Sequence, residues 1–262
     1  MAGLAVVAWS DAPIDGDYPD SVSITANSIS VRRLSPEGIS LWLYEVAMPS
    51  GGELRWQLAH GDEALYVLEG ALDVCGDDPP RSVPGGGAVI VESAVPAHVA
   101  AEGPVRFLHM GPRETSPPTE GPLGPADPAG HSVHAVGPRG VFALTEPGRD
   151  TRFFADSSCP TCRITLMQTG RSERYHSVAH SHSQDELIHL LAGEITVGRE
   201  ILGPGDTLYV EADRRYTFTS GDAGFSFLNY RRDASMHAVV RGGEPVLEGG
   251  AAHGFPYVGD IR

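Results

Sequence analysis

The chain has 262 residues, of which 34 are acidic and 19 basic, so its formal net charge is −15. With this charge and no basic cluster, we expect neither nucleic acid nor an anionic membrane surface as a partner. No apolar run reaches the roughly 18 residues that a membrane-spanning helix needs, so no membrane partner is expected.

The chain starts with M-A-G-L-A-V-V-A-W-S-D, which lacks the basic region of a secretory signal and has too short an apolar stretch. We therefore predict a cytoplasmic protein. The segments that follow are short, rich in Val, Ile, Leu, Thr and Tyr, and separated by turn residues about every ten positions. No segment shows a sustained apolar period of 3.6 residues. The pattern predicts an all-β fold rather than an α/β fold.

Proline and glycine dominate residues 112–130, P-R-E-T-S-P-P-T-E-G-P-L-G-P-A-D-P-A-G. Proline removes backbone donors and glycine keeps the chain flexible, so this composition is typical of a connection between domains. We place an inter-domain linker at residues 112–135.

Cys159 and Cys162 form the only C-x-x-C pair, C-P-T-C, among three cysteines. An odd number of cysteines does not indicate a disulfide framework. The spacing is compatible with a redox pair or with half of a zinc site, but such a site needs two further ligands. The simpler interpretation is two small packing residues at the start of a strand.

His180, His182 and Glu186 lie in the run A-H-S-H-S-Q-D-E-L-I-H-L-L-A-G. On a strand, two side chains one residue apart point to the same face, and a carboxylate after a short loop can close on the same point. Two imidazoles and one carboxylate bind a divalent transition metal and leave positions open for substrate or oxygen. The apolar run that follows is typical of a buried strand.

These residues resemble the first motif of the cupin superfamily, G-x5-H-x-H-x3or4-E-x6-G. The match covers residues 180–193 without a gap, although the leading glycine is irregular because Gly170 lies ten residues before His180. The second family motif begins P-x-G-D, which Gly205 and Asp206 match. Its histidine position holds Tyr216. The resemblance implies antiparallel β-barrels and a bound divalent metal, for which most family members use that histidine as fourth ligand.

An earlier stretch repeats this pattern, which indicates two tandem barrels, the arrangement of a bicupin. The alignment matches Glu63 with Glu186, Gly70 with Gly193, Gly87 with Gly205, and His98 with Tyr216. The predicted organisation is an N-terminal arm (1–25), an N-terminal cupin barrel (26–111), the linker (112–135), a C-terminal cupin barrel (136–231) and a C-terminal arm (232–262).

The first copy has Gln57 where the second has His180, and Ala59 where the second has His182. Gln57, Glu63 and His98 could bind a metal weakly. The loss of both paired imidazoles favours a degenerate N-terminal site, and the metal is expected in the C-terminal barrel.

Tyr216 has two interpretations. It could coordinate as a phenolate, since a bound metal lowers the pKa of its ligands. Alternatively, it donates a hydrogen bond beside the metal, which we favour because an un-ionised phenol is a poor ligand. His176, in the loop before the motif, is an alternative fourth ligand.

The function predicted from this resemblance is a metal-dependent enzyme acting on a small organic molecule, foremost a non-haem iron dioxygenase with Fe2+. Mn, Zn and Ni are alternatives. The metal would chelate the substrate, with Glu186 and Tyr216 as catalytic residues. Other hypotheses are a Lewis-acid isomerase or hydrolase, and a non-catalytic small-molecule sensor. Either a monomer or a homodimer is expected.

Overall fold

The computed structural model describes residues 3–14, 18–76, 79–114, 130–156, 159, 161–233, 237–241 and 244–248. These residues form 22 β-strands, and no helix occurs among them. The described chain accordingly offers no apolar helix of membrane-spanning length. The all-β class predicted from the sequence is confirmed.

Two antiparallel sheets form the N-terminal half, with strand orders β2-β5-β10-β7-β8 and β12-β9-β6-β11-β4-β3. The strands are β2 (Val22–Thr25), β3 (Ser30–Arg33), β4 (Leu41–Met48), β5 (Glu53–Trp56), β6 (Glu63–Glu69), β7 (Ala71–Cys75), β8 (Arg81–Pro84), β9 (Ala88–Val91), β10 (His98–Ala100), β11 (Val105–Pro112) and β12 (Val133–Val136).

The C-terminal half contains a large sheet in the order β1-β19-β17-β20-β15-β14-β13, with β18 paired to β17, and a small sheet β16-β21-β22. The strands are β1 (Leu4–Val7), β13 (Phe142–Glu146), β14 (Arg149–Ala155), β15 (Ile164–Arg171), β16 (His180–His182), β17 (Glu186–Val197), β18 (Glu200–Leu202), β19 (Thr207–Val210), β20 (Thr219–Arg232), β21 (His237–Arg241) and β22 (Glu244–Glu248).

Each half receives a strand from outside its own stretch of sequence. β1, from the N-terminal arm, pairs with β19 of the C-terminal half. β12, at the end of the expected linker, pairs with β9 of the N-terminal half. β21 and β22 come from the C-terminal arm, and β21 pairs with β16. Most of the linker, residues 115–129, and residues 249–262 lie outside the described residues.

The apolar strand residues form three buried clusters. One fills the N-terminal half and includes Leu54, Val67 and Phe107. A second fills the C-terminal half and includes Leu190 and Phe227. The third lies between the halves and draws on both. Because a fully buried Leu or Phe side chain stabilises by roughly 1.5–3 kcal/mol, burial in the shared cluster holds the halves together.

Gly193 of the motif sits at an irregularity in the β17–β20 pairing and has a φ of 75°. A Cβ at this position would collide with the backbone carbonyl of Gly224. Only glycine adopts this conformation without strain, so the motif glycine allows β17 to bend while it stays paired with β20.

Candidate metal centre

Strands β16 and β17 bring His180, His182 and Glu186 together. The two imidazole centroids are 5.3 Å apart, and His182 Nε2 lies 3.8 Å from Glu186 Oε2. His182 and Glu186 are buried, whereas His180 is half-buried. The two imidazoles and the carboxylate that the sequence pattern singled out therefore lie near one another, although their ligand atoms do not all come within 4.8 Å of each other in this metal-free arrangement.

A hydrogen bond orients the His180 ring. Its Nδ1 lies 2.7 Å from the carbonyl oxygen of Val178. A carbonyl only accepts, so Nδ1 carries the proton and Nε2 keeps its lone pair, which is the tautomer that a metal ligand needs. The backbone of β16 is held by paired hydrogen bonds between His180 and Tyr216.

Two residues of β20 complete the cluster, and sequence reasoning missed both. Asn229 Nδ2 donates to Glu186 Oε2 at 2.8 Å, and Arg231 Nε donates to the same oxygen at 3.2 Å. Arg231 Nη2 also lies 3.3 Å from His182 Nε2. The register of β17 and β20, which places Arg231 directly opposite Glu186, is the signal that could have found them.

The charges around Glu186 keep it ionised. Burial alone would raise the pKa of this carboxyl, but His182 and Arg231, with the hydrogen bond from Asn229, outweigh burial and lower the pKa to about 2. The metal-free site thus holds a carboxylate. A metal at His182 would need that imidazole neutral and would supply the positive charge in its place.

The second carboxylate oxygen, Oε1, tests whether a metal fits. This oxygen is buried and has no hydrogen-bond partner among the described residues. An unsatisfied buried acceptor costs about 1–3 kcal/mol, and a cation bound there would remove that cost. With Oε2 held by Asn229 and Arg231, the carboxylate is oriented as ligating carboxylates commonly are. Arg231 Nη2 donates towards His182 Nε2, so a metal bound there would take the place of that contact. With this exchange the donor set fits a divalent ion.

Tyr216 lies against both the carboxylate and His180. Its ring centroid is 4.4 Å from that of His180. Burial, the main cause, and the nearby charge of Glu186 raise the pKa of the Tyr216 phenol well above its ordinary value. The phenol is therefore protonated in the metal-free protein, and hydrogen-bond donation beside a metal, rather than phenolate coordination, remains the prediction for Tyr216.

Two other histidines of the C-terminal half, the alternative ligand His176 and the nearby His189, have different surroundings. His176 is exposed, and its Nδ1 lies 2.7 Å from Thr219 Oγ1. His189 is buried in β17, with Nδ1 3.0 Å from Thr207 Oγ1. Burial, the main cause, lowers the pKa of His189 to about 4. His189 is thus a neutral residue of the interior.

In the N-terminal half, Glu63 is buried and already has protein partners. Its Oε2 accepts from Trp56 Nε1 at 2.7 Å and lies 2.9 Å from His109 Nε2. Gln57 is exposed, and His98 Nε2 lies 3.3 Å from Glu53 rather than beside Glu63. The three residues of the expected weak site therefore have separate surroundings.

Strand pairing shows why His98 differs from Tyr216. Glu63 pairs with Val91 and Glu186 pairs with Val210, so these two valines are equivalent. By that register, the residue matching Tyr216 is Ala97. His98 is one residue further on, and a shift of one residue turns a strand side chain to the opposite face.

Comparison with known proteins identifies the fold. No family model and no curated protein matches the sequence significantly. Among solved structures, the putative glyoxylate-induced protein from Pseudomonas aeruginosa matches with a TM-score of 0.65 and 15% identity, over 88% of this chain and 90% of the other. Protein Ylba from E. coli matches with a TM-score of 0.62 and 15% identity, over 87% and 90%.

Oxalate decarboxylase from Bacillus subtilis also matches, with a TM-score of 0.60 and 14% identity, over 87% of this chain and 76% of the other. At such low identity the similarity shows the fold alone. The chain therefore has the antiparallel, cupin-type β-fold of these proteins.

Proposed function

We propose that His180, His182 and Glu186 bind one divalent metal ion and that the chain is a metal-dependent enzyme acting on a small organic molecule. The observation that carries this proposal is the proximity of two neighbouring imidazoles to an ionised carboxylate whose Oε1 has no hydrogen-bond donor among the described residues. A metal bound by three protein ligands keeps positions open for substrate.

In this proposal the molecule consists of two tandem cupin barrels, residues 26–111 and 136–231, of which only the second binds metal. Glu63 and Glu186 sit at equivalent strand positions, which supports the repeat. The partners differ: Glu63 faces the Trp56 indole and His109, whereas Glu186 lies beside His182.

When bound, the metal would act as a Lewis acid towards substrate oxygens and, as Fe2+, would also bind O2. The chain's own residues have separate tasks. Arg231 and Asn229 keep Glu186 anionic and fixed through Oε2. Val178 orients the His180 ring. Tyr216, protonated and close to His180, can donate a hydrogen bond to a substrate oxygen.

Our leading form of this proposal is a non-haem iron dioxygenase, because two histidines and one carboxylate form the ligand set of Fe(II) oxygenases. The second candidate is a Lewis-acid isomerase or hydrolase that uses Mn, Zn or Ni. It is favoured by the Mn(II) centres of the structurally similar B. subtilis oxalate decarboxylase.

Oxygen uptake separates the two candidates. The chain is loaded anaerobically with Fe2+, Mn2+ or Zn2+ and screened with catechols, diketones and flavonols in an oxygen electrode, beside Glu186→Gln. O2 consumption that requires both Fe2+ and Glu186 supports the dioxygenase. Turnover without O2, supported by Mn2+ or Zn2+, supports the second candidate. Binding without turnover by any loaded form contradicts both and leaves a small-molecule-binding protein.

A further inference from the structure

A second buried polar cluster joins the two halves of the molecule at the C-P-T-C segment. Cys159 and Cys162 lie between β14 and β15, and both are 2% exposed. The structure pairs their sulfurs. In the sequence, two further ligands were missing for a zinc site.

The N-terminal half supplies two such donors. Glu92 follows β9, and His134 lies on β12, which pairs with β9. His134 Nε2 is 2.6 Å from Glu92 Oε1, and Cys159 Sγ is 3.7 Å from the same oxygen. The ligand atoms of Glu92, His134 and Cys159 all lie within 4.8 Å of one another. Strand pairing thus assembles donors that lie far apart in sequence.

The groups around Glu92 and Cys159 donate hydrogen bonds, which suits an anionic carboxylate and an anionic thiolate. Glu92 is completely buried. Thr161 Oγ1 donates to its Oε1 at 2.7 Å, and the Ser132 amide donates to its Oε2 at 3.2 Å. The Cys162 amide donates to Cys159 Sγ at 3.3 Å. Donors of this kind stabilise a carboxylate and a thiolate and orient them, as the groups behind metal ligands do.

A simpler account is a permanent disulfide beside a hydrogen-bonded Glu92–His134 pair. That account assigns no role to the group formed by Glu92, His134 and Cys159, to which the second sulfur, that of Cys162, is joined through Cys159. Zinc binds Cys sulfur, His nitrogen and carboxylate oxygen, and four protein ligands close a tetrahedral site.

We infer that Cys159, Cys162, His134 and Glu92 bind a zinc ion when the two cysteines are reduced. A dithiol reduces the disulfide by two electrons and leaves as its own disulfide, which gives two Cys thiols. Zinc binding then displaces one proton from each thiol, and the His134 Nε2 proton moves to Nδ1 as zinc takes its place beside Glu92. The bound ion would connect β9 and β12 to the segment before β15.

The test uses the full chain carrying His180→Ala and Glu186→Ala, which removes the ligands of the proposed catalytic metal, so failure of one proposal does not affect the other. Reduced protein, kept with a phosphine, and oxidised protein are titrated with Co2+ and Zn2+. The readouts are zinc content after gel filtration and the sulfur-to-cobalt charge-transfer absorption that thiolate ligands produce. Cys159→Ser/Cys162→Ser is the loss variant, and Cys75→Ser is the matched control.

The expected result is one zinc ion per reduced chain, with affinity at least a hundredfold weaker after oxidation, and no charge-transfer band in the double serine variant. Cys75→Ser should match its parent. Thr161→Val should weaken binding ten- to a hundredfold and Thr161→Ser should restore it. The comparison of reduced with oxidised protein needs no cysteine substitution, so misfolding of the serine variant does not obscure it. A reduced chain with three titratable thiols that binds no zinc, or equal binding by reduced and oxidised protein, would overturn the inference.

Discussion

Arg231 and Glu186 form a buried ion pair, in which Arg231 Nε lies 3.2 Å from Glu186 Oε2 and the Arg231 guanidinium also reaches His182. The two residues are direct partners on β20 and β17. Because Arg231 uses only Oε2, it holds the carboxylate ionised while Oε1 stays available for a cation.

Removal of Arg231 should therefore destabilise the metal-free protein. In Arg231→Met, the buried Glu186 carboxylate loses its charged partner, and such changes cost roughly 3–5 kcal/mol. Urea unfolding of the metal-free chain measures the loss. Arg174→Met is the control, because the Arg174–Asp222 pair is exposed on both sides and its loss should change stability by less than about 1 kcal/mol. Equal effects of the two substitutions would contradict the role assigned to Arg231.

Tyr216→Phe should keep the metal. If the phenol only donates a hydrogen bond to Glu186, its loss removes about 1–2 kcal/mol of interaction, so affinity should fall about tenfold while the stoichiometry is unchanged. Metal titration with elemental analysis checks this, with His182→Ala as the variant that should lose binding. A metal-free Tyr216→Phe protein would instead identify Tyr216 as a ligand.

His189 should make stability depend on pH between about 4 and 6.5. The pKa of this imidazole is about 4 in the folded protein, against an ordinary value of 6.5, because burial disfavours its charged form. Below pH 6.5 the unfolded chain takes up the proton first, so stability is fully present above that pH and is lost as the pH falls towards 4. The loss amounts to about 3 kcal/mol.

Urea unfolding at a series of pH values measures this dependence. His189→Gln keeps a polar group beside Thr207 and removes the titration, so its stability should change less over the same range. A wild-type profile that is flat between pH 4 and 6.5, or one that His189→Gln reproduces, would refute the assignment.

Glu63 and Glu186 should respond differently to the same change. Glu63→Gln should lower stability by about 1–3 kcal/mol, because Trp56 and His109 lose their charged acceptor, while the metal content stays the same. Glu186→Gln should abolish metal binding. The measurement is metal content beside urea unfolding for both variants. A lower metal content in Glu63→Gln would show that the N-terminal half binds metal after all.

The local part of the site could be predicted from the sequence, because His180, His182 and Glu186 lie within one short segment whose alternation sets their direction. Asn229 and Arg231 were missed because they reach Glu186 only through the pairing of β17 with β20. For the same reason, the sequence pattern could not predict that β1 pairs with β19. Alternation predicts which side chains share a face of a strand, but the packing of the whole chain determines which strands pair.

The most direct test of the central proposal is anaerobic titration of the oxidised, metal-free chain with Fe2+ and Mn2+, followed by elemental analysis after gel filtration. Oxidation keeps Cys159 and Cys162 paired, so only the β16–β17 centre is measured. We predict one metal ion per chain, lost in His182→Ala and retained in His176→Ala, since His176 is exposed and hydrogen-bonded to Thr219. A wild-type chain that binds neither ion, or undiminished binding by His182→Ala, would contradict the account.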